Sequence, residues 1–301
     1  MINGGRVCKR QAELVRELGL GGVEQILADA TAEQILADAT RTSATDRPIQ
    51  FLRAMSQPVS SVVVCMAMEQ EAAPLIERLG LQPQPPFAAP APFVAHAGEY
   101  KGLQITVVTS GKDAATGVNN IGTAPAALGA YLALERLKPD LLLNAGTCGG
   151  FKAEGGAIGS VYVVSEFRNH DRRISIPGFA EYGVDARAAR PAPALAAALG
   201  AATGAVSSGN SLDICPEDLA ALQASHACCK DMEASGIAWA ASFFPQTPLV
   251  AIKVVTDIVD GDKPSHEEFL ENLATAAQSL QKTVPAALDF IAGKPLDAVF
   301  G

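Results

Sequence analysis

From residue 59 onward, short apolar runs alternate with segments whose apolar positions recur at helical spacing. Residues 59–68 make an apolar run of strand length, and 69–79 follow with a helical pattern. Residues 93–97 and 103–108 flank Lys101-Gly102 as a hairpin. Residues 117–137 read as a long helix rich in small side chains, ending before Pro139. Residues 141–145 read as a buried strand running into a turn at 146–150, Gly-Thr-Cys-Gly-Gly. Further strands are expected at 161–165, 205–208 and 249–255, and helices at 234–244 and 267–291. Near-continuous apolar strands alternating with helices predict an α/β fold with a mostly parallel sheet covered on both faces. In such sheets, ligands bind beyond the carboxyl ends of the strands.

The first 58 residues break this pattern. They hold a tandem repeat, Glu24-Gln-Ile-Leu-Ala-Asp-Ala-Thr31 and Glu33-Gln-Ile-Leu-Ala-Asp-Ala-Thr40. Each copy has the length of two helical turns, but one duplication is too short for a solenoid. The division expected is an N-terminal extension over 1–58, weakly ordered or helical, and a catalytic domain over 59–301. The acidic residues of the extension count against a transit peptide, although plastid targeting stays open beside a cytoplasmic location.

Composition narrows the function classes. The 301 residues carry 23 basic and 32 acidic side chains, a formal net charge of −9. That balance, without any basic run, argues against nucleic acid. No apolar stretch has the length of a membrane span. The six cysteines form no C-x-x-C pair and have no histidine at metal-finger spacing, so reduced thiols and no metal site are expected.

Three carboxylates fall where the fold places ligands. Glu71, in Ala67-Met68-Glu69-Gln70-Glu71, follows the first strand; acids there also complement a helix dipole. Asp257 ends the strand beginning at Leu249; burial would bias it toward the protonated form a general acid needs, though Asp also forms caps and turns. Glu233 opens a helix of small residues, where a carboxylate can accept two hydrogen bonds from vicinal hydroxyls. Neither Glu71 nor Asp257 is expected to hold the core together. The 146–150 turn, starting at Gly146, is not a dinucleotide fingerprint; its small residues suit a backbone pressed against a sugar or base.

Taken together, Ala-Met-Glu-Gln-Glu at 67–71, Asn-Ala-Gly-Thr-Cys-Gly-Gly at 144–150, His-Asp-Arg-Arg at 170–173, Asp-Met-Glu-Ala at 231–234 and Val-Thr-Asp at 255–257 resemble the 5′-methylthioadenosine/S-adenosylhomocysteine nucleosidases. The plant-type enzymes are the nearest likeness, through Ser211-Leu-Asp213 and Asp260-Gly-Asp-Lys-Pro264. The resemblance spans about 59–291. It implies a nucleoside phosphorylase/hydrolase-type fold, a homodimer, no cofactor, and hydrolysis of 5′-methylthioadenosine to adenine and 5-methylthioribose in methionine salvage. S-adenosylhomocysteine is a further candidate substrate. It also implies Glu71 as the carboxylate activating water, Asp257 as the acid protonating adenine N7, and Glu233 as the ribose ligand. Met68, Gly146, Leu212, Asp213 and Met232 would complete the substrate site. Two residues depart from the pattern: Asn210 replaces the usual Asp after Ser-Gly, and Asn169 replaces an aromatic before His170. The rival readings are a phosphate-dependent nucleoside phosphorylase of the same fold and a non-catalytic storage or binding relative. Against phosphorolysis, residues 109–120 offer only Lys112 as a cation.

Overall fold

The structure, a computed structural model, describes residues 56–300. The tandem repeat and nearly all of the N-terminal extension lie outside that range. Strand β1 (Ser61–Met66) is Val-rich and buried on both faces, as a central parallel strand must be. Helix α1 (Glu69–Leu79) starts at Met68, whose backbone N–H donates to the Glu71 carboxylate, and stops at Gly80, which adopts the left-handed φ of 66°. Strands β2 (Gln82–Pro83), β3 (Val94–Tyr100) and β4 (Leu103–Thr109) follow, then helix α2 (Thr123–Leu137). Strand β5 (Leu141–Gly150) and β6 (Val161–Asn169) lead to α3 (Phe179–Val184), β7 (Arg187–Ala188), α4 (Pro193–Leu199) and β8 (Ala202–Ser208). The chain ends with α5 (Pro216–Ala224), β9 (Cys229–Asp231), α6 (Ala234–Ala241), β10 (Leu249–Ile258), α7 (Ser265–Ile291) and α8 (Leu296–Phe300).

The strands join in one sheet ordered β10-β6-β8-β9-β5-β1-β4-β3-β2, with β7 on β6 and β10 also paired to β5. That extra pairing closes β5, β10, β6, β8 and β9 into a ring, which removes sheet edges at this end. The sheet is mixed: the long ladders β4–β1–β5–β10 and β6–β8 are parallel, whereas β3–β4, β5–β9 and β6–β10 are antiparallel. One core lies between the sheet and the α2/α6 pair, around Val63, Ala130, Leu134 and Ile237. Helix α7 covers α1 and β10 with Leu280, Val284, Leu288 and Ile291.

Two expectations change. The 146–150 segment is not a turn but the continuation of β5, because its glycines pair with β10 on one side and β9 on the other. Helix α2 begins at Thr123 rather than Gly117, since Gly117 and Gly122 hold φ of 74° and 106°, outside helical space. The short elements α3, α4, α5, β7, β9 and α8 carry too little periodicity to be read from the chain.

Candidate active site

The carboxyl ends of β1, β5 and β10 meet β9 at one end of the ring. A cavity of about 640 Å³, counted out to its mouth, opens there. Its wall includes Met68, Glu71, Leu212, Met232, Glu233 and Asp257. All three predicted carboxylates therefore open onto the same space.

Each is held differently. Glu71 is 2% exposed, and its Oε1 accepts hydrogen bonds from the backbone N–H and the hydroxyl of Thr147, both at 2.7 Å. Its Oε2 accepts from the Met68 N–H at 3.2 Å. Three donors fix the carboxylate at the cavity wall. They also tie the start of α1 to β5, so Glu71 has a structural part that the sequence reading denied it.

Asp257 owes its direction to a β-bulge. Val255 pairs with Cys148 and Asp257 with Gly149, so Thr256 is the extra residue that re-aims the strand. Asp257 is 3% exposed, and burial raises its carboxyl above the ordinary range; the Thr256 and Ser265 hydroxyls and the Lys230 charge oppose that rise. The Thr256 hydroxyl lies 2.9 Å from Asp257 Oδ1 and 3.1 Å from the Cys148 carbonyl. A hydroxyl placed so can donate either way, which accommodates both protonation states of Asp257.

Glu233 stands at the N-cap position of α6 without bonding that helix, and its Oε1 accepts the Gly122 N–H at 2.9 Å. Burial pushes its carboxyl up to about 7, helped by the Asp231 charge and resisted by the Lys253 ammonium and the Gly122 N–H. The Glu233 side chain lines the cavity.

The other predicted residues divide. Met68, Leu212 and Met232 line the cavity. Gly146 lies behind Glu71: a Cβ there would sit 3.4 Å from Glu71 Oε1 and 3.7 Å from Lys253 Nζ. A Cβ would thus make only ordinary contact with both groups, and Gly146 backs the site without lining the cavity. Asp213 does not reach the cavity. Its side chain is 81% exposed and pairs with His266 at 3.3 Å, because the 211–213 segment turns only Leu212 inward.

The sequence reading missed the cations. Lys253 is 1% exposed in mid-β10 and pairs with Asp231 Oδ2 at 2.7 Å. Asp231 also accepts from the Ser208 hydroxyl at 2.5 Å and the Ala234 N–H at 3.0 Å. A lysine interrupting an apolar strand was the available signal. Lys230 lines the cavity and donates to the carbonyls of Ser211 and Leu212 at 2.8 and 2.9 Å, clamping the segment that carries Leu212. Thr147, Ile121 and Phe269 are also part of the wall. Among the described residues, no three His, Cys, Asp or Glu side chains gather as metal ligands.

The ring-closed sheet with an acid-lined cavity at its carboxyl end defines a nucleoside phosphorylase/hydrolase-type protein, and the Phosphorylase superfamily profile matches residues 61–289. Within that superfamily the chain belongs to the 5′-methylthioadenosine/S-adenosylhomocysteine nucleosidase family, whose members are N-glycosidic hydrolases. It is 44% identical over 242 residues to the 5′-methylthioadenosine/S-adenosylhomocysteine nucleosidase of Arabidopsis thaliana, covering 80% of this chain and 95% of the relative. The structure of Arabidopsis thaliana 5′-methylthioadenosine nucleosidase in apo form superposes with a TM-score of 0.78 at 44% identity, over 80% of this chain and 100% of the other. A 5′-methylthioadenosine/S-adenosylhomocysteine nucleosidase from Colwellia psychrerythraea 34H, solved in complex with adenine, matches at a TM-score of 0.63 and 27% identity, over 79% of this chain and 98% of that one.

Proposed function

We propose that the protein hydrolyses the N-glycosidic bond of 5′-methylthioadenosine, releasing adenine and 5-methylthioribose as a cytoplasmic step of methionine salvage. The observation that carries this reading is the shared cavity of Glu71, Glu233 and Asp257, with a carboxylate held by three donors at one wall and an acid raised by burial at another. Adenine leaves poorly as an anion, so protonation of its N7 by Asp257 lowers the barrier; general acid–base steps contribute about 10²–10⁴-fold. As the C–N bond breaks, positive charge develops on the ribosyl carbon. Glu71 stabilises that charge and orients the attacking water, the two-carboxylate logic of glycoside hydrolysis. Glu233 accepts hydrogen bonds from the ribose hydroxyls. Lys230 holds Leu212 against the base.

Phosphorolysis is disfavoured by the same geometry. Lys112 pairs with Glu69 at 2.8 Å, Lys253 with Asp231, and Lys230 with two carbonyls. An anionic Glu71 would also repel phosphate. The test is turnover of 5′-methylthioadenosine, S-adenosylhomocysteine and inosine with and without phosphate. Adenine and free sugar in phosphate-free buffer are expected; strict phosphate dependence overturns the proposal.

The same reading includes a homodimer. Leu128 and Tyr131 on α2, with Trp239 on α6 and the neighbouring Phe243, are 49%, 43%, 41% and 54% exposed. Trp239 and Phe243 stack edge-to-face, as Tyr131 does on Phe244, so these rings form a rigid apolar patch of the kind that marks an interface. Light scattering at twice the chain mass is expected.

A further inference from the structure

Helix α2 begins on a glycine, so its first turn has no side chain of its own to cap it. The caps come from elsewhere. The Gly122 N–H donates to Glu233 Oε1 at 2.9 Å, and the next N–H, of Thr123, donates to Asn210 Oδ1 at 2.9 Å. The Thr123 hydroxyl adds a second bond to the same oxygen at 3.0 Å. The other end of Asn210 is equally engaged: its backbone N–H and its amide nitrogen donate to Asp171 Oδ2 at 2.7 and 3.1 Å. Asn210 thus joins the segment after β6 to the start of α2, accepting on one side and donating on the other. Gly122 fits tightly between; a Cβ there would lie 2.9 Å from Asn210 Oδ1.

We propose that Asn210 is a positioning residue for Glu233: by fixing the Thr123 peptide it aims the neighbouring Gly122 N–H at the carboxylate that takes the ribose hydroxyls. This rests on the reading of Glu233 as the ribose ligand. Only the φ and ψ of Gly122 separate these two peptide planes, so anchoring Thr123 through its N–H and its hydroxyl narrows the directions open to the Gly122 N–H. Opposite Asp171, an amide serves both sides of the junction in this chain. An aspartate could accept from Thr123, but its second oxygen would replace the NH₂ that faces Asp171, leaving two carboxylates at hydrogen-bond distance. Such a pair is held together only while it shares a proton. The other charged or titratable groups around this junction are His170 beside Asp171, the Arg173–Asp218 pair, Lys230 and Asp231 on β9, and Glu233 itself; the first turn of α2 carries no acid. With asparagine, position 210 adds no titrating group beside Asp171.

The test compares kcat/KM for 5′-methylthioadenosine with that for its 3′-deoxy analogue, in the wild type, Asn210→Ala and Asn210→Asp, across pH. The wild type should prefer the hydroxylated substrate. Asn210→Ala should reduce that preference by about tenfold, the worth of one hydrogen bond to a charged group. Asn210→Asp should match the wild type at acidic pH and lose preference relative to it as pH rises and the shared proton leaves. If both substrates slow equally in Asn210→Ala, so that the preference is untouched, Asn210 is only structural and the proposal fails. If Asn210→Asp follows the wild-type profile at every pH, the charge argument fails; this variant decides the matter should Asn210→Ala not fold. A wild type indifferent to the 3′-hydroxyl would instead remove Glu233 as ribose ligand, and this inference with it.

Discussion

Replacing Lys253 with methionine isolates the buried charge network behind the site. Methionine keeps most of the stem in its apolar channel and removes only the ammonium. Asp231 is then left without its cation, in a place where the two side chains are 2% and 1% exposed. Breaking a buried ion pair by removing one partner costs about 3–5 kcal/mol. The Ser208 hydroxyl and Ala234 N–H still serve the carboxylate, which puts Lys253→Met near the lower end, about 3 kcal/mol. For a domain of this size, 1 kcal/mol moves Tm by about 2–4 °C, so a fall of roughly 6–12 °C is expected. Urea denaturation should show a lower midpoint at an unchanged slope. Adding Asp231→Leu should recover part of the loss, since it removes the stranded charge. Lys253 also opposes the upward push on Glu233, so in Lys253→Met that group should hold its proton to higher pH. A loss below about 1 kcal/mol would refute the reasoning, because it would mean that the pair contributes no more than an exposed one.

Asp257→Asn should lower kcat by at least about 10²-fold while stability stays within roughly 1 kcal/mol, because the amide oxygen can still accept from the Thr256 and Ser265 hydroxyls; adenine release and a thermal melt check both. Glu71→Gln should lose turnover comparably, but with a stability cost of about 1–2 kcal/mol, since an NH₂ would face either the Met68 or the Thr147 donors; an unchanged melt contradicts this. Burial holds Glu233 protonated up to about pH 7, and ribose hydroxyls require its ionised form as acceptor. Affinity for a non-hydrolysable nucleoside analogue should therefore rise with pH through about 7, and binding just below it should release protons, read as buffer-dependent heats in calorimetry; proton uptake would reverse the assignment.

Much of the site was legible because its residues sit at ends of elements. Glu71, Glu233 and Asp257 each follow or open a locally periodic segment, and the rule that ligands bind beyond strand carboxyl ends selected them. Asp213 came from the family resemblance and was misplaced, because adjacency to Leu212 does not say which of two neighbours turns inward. Lys253 was visible as a charge inside an apolar strand, but its meaning needs Asp231, 22 positions earlier, on another strand. Asn210 was noticed only as a departure; its contacts run to residues 171 and 123.

The order of amino acids determined what depends on near neighbours: the succession of buried strands and helices, and the acids that punctuate them. Tertiary structure alone decided what depends on pairing between distant segments. Gly146–Gly150 stays a strand because β9 and β10 take up its hydrogen bonds, and the bulge at Thr256 exists only in register with Cys148 and Gly149. Shifting such a register by one residue would turn each side chain to the opposite face without changing any local pattern. That is why the periodicity of the chain predicts its elements, while the direction of Asp257 and the partner of Lys253 appear only once the strands are paired.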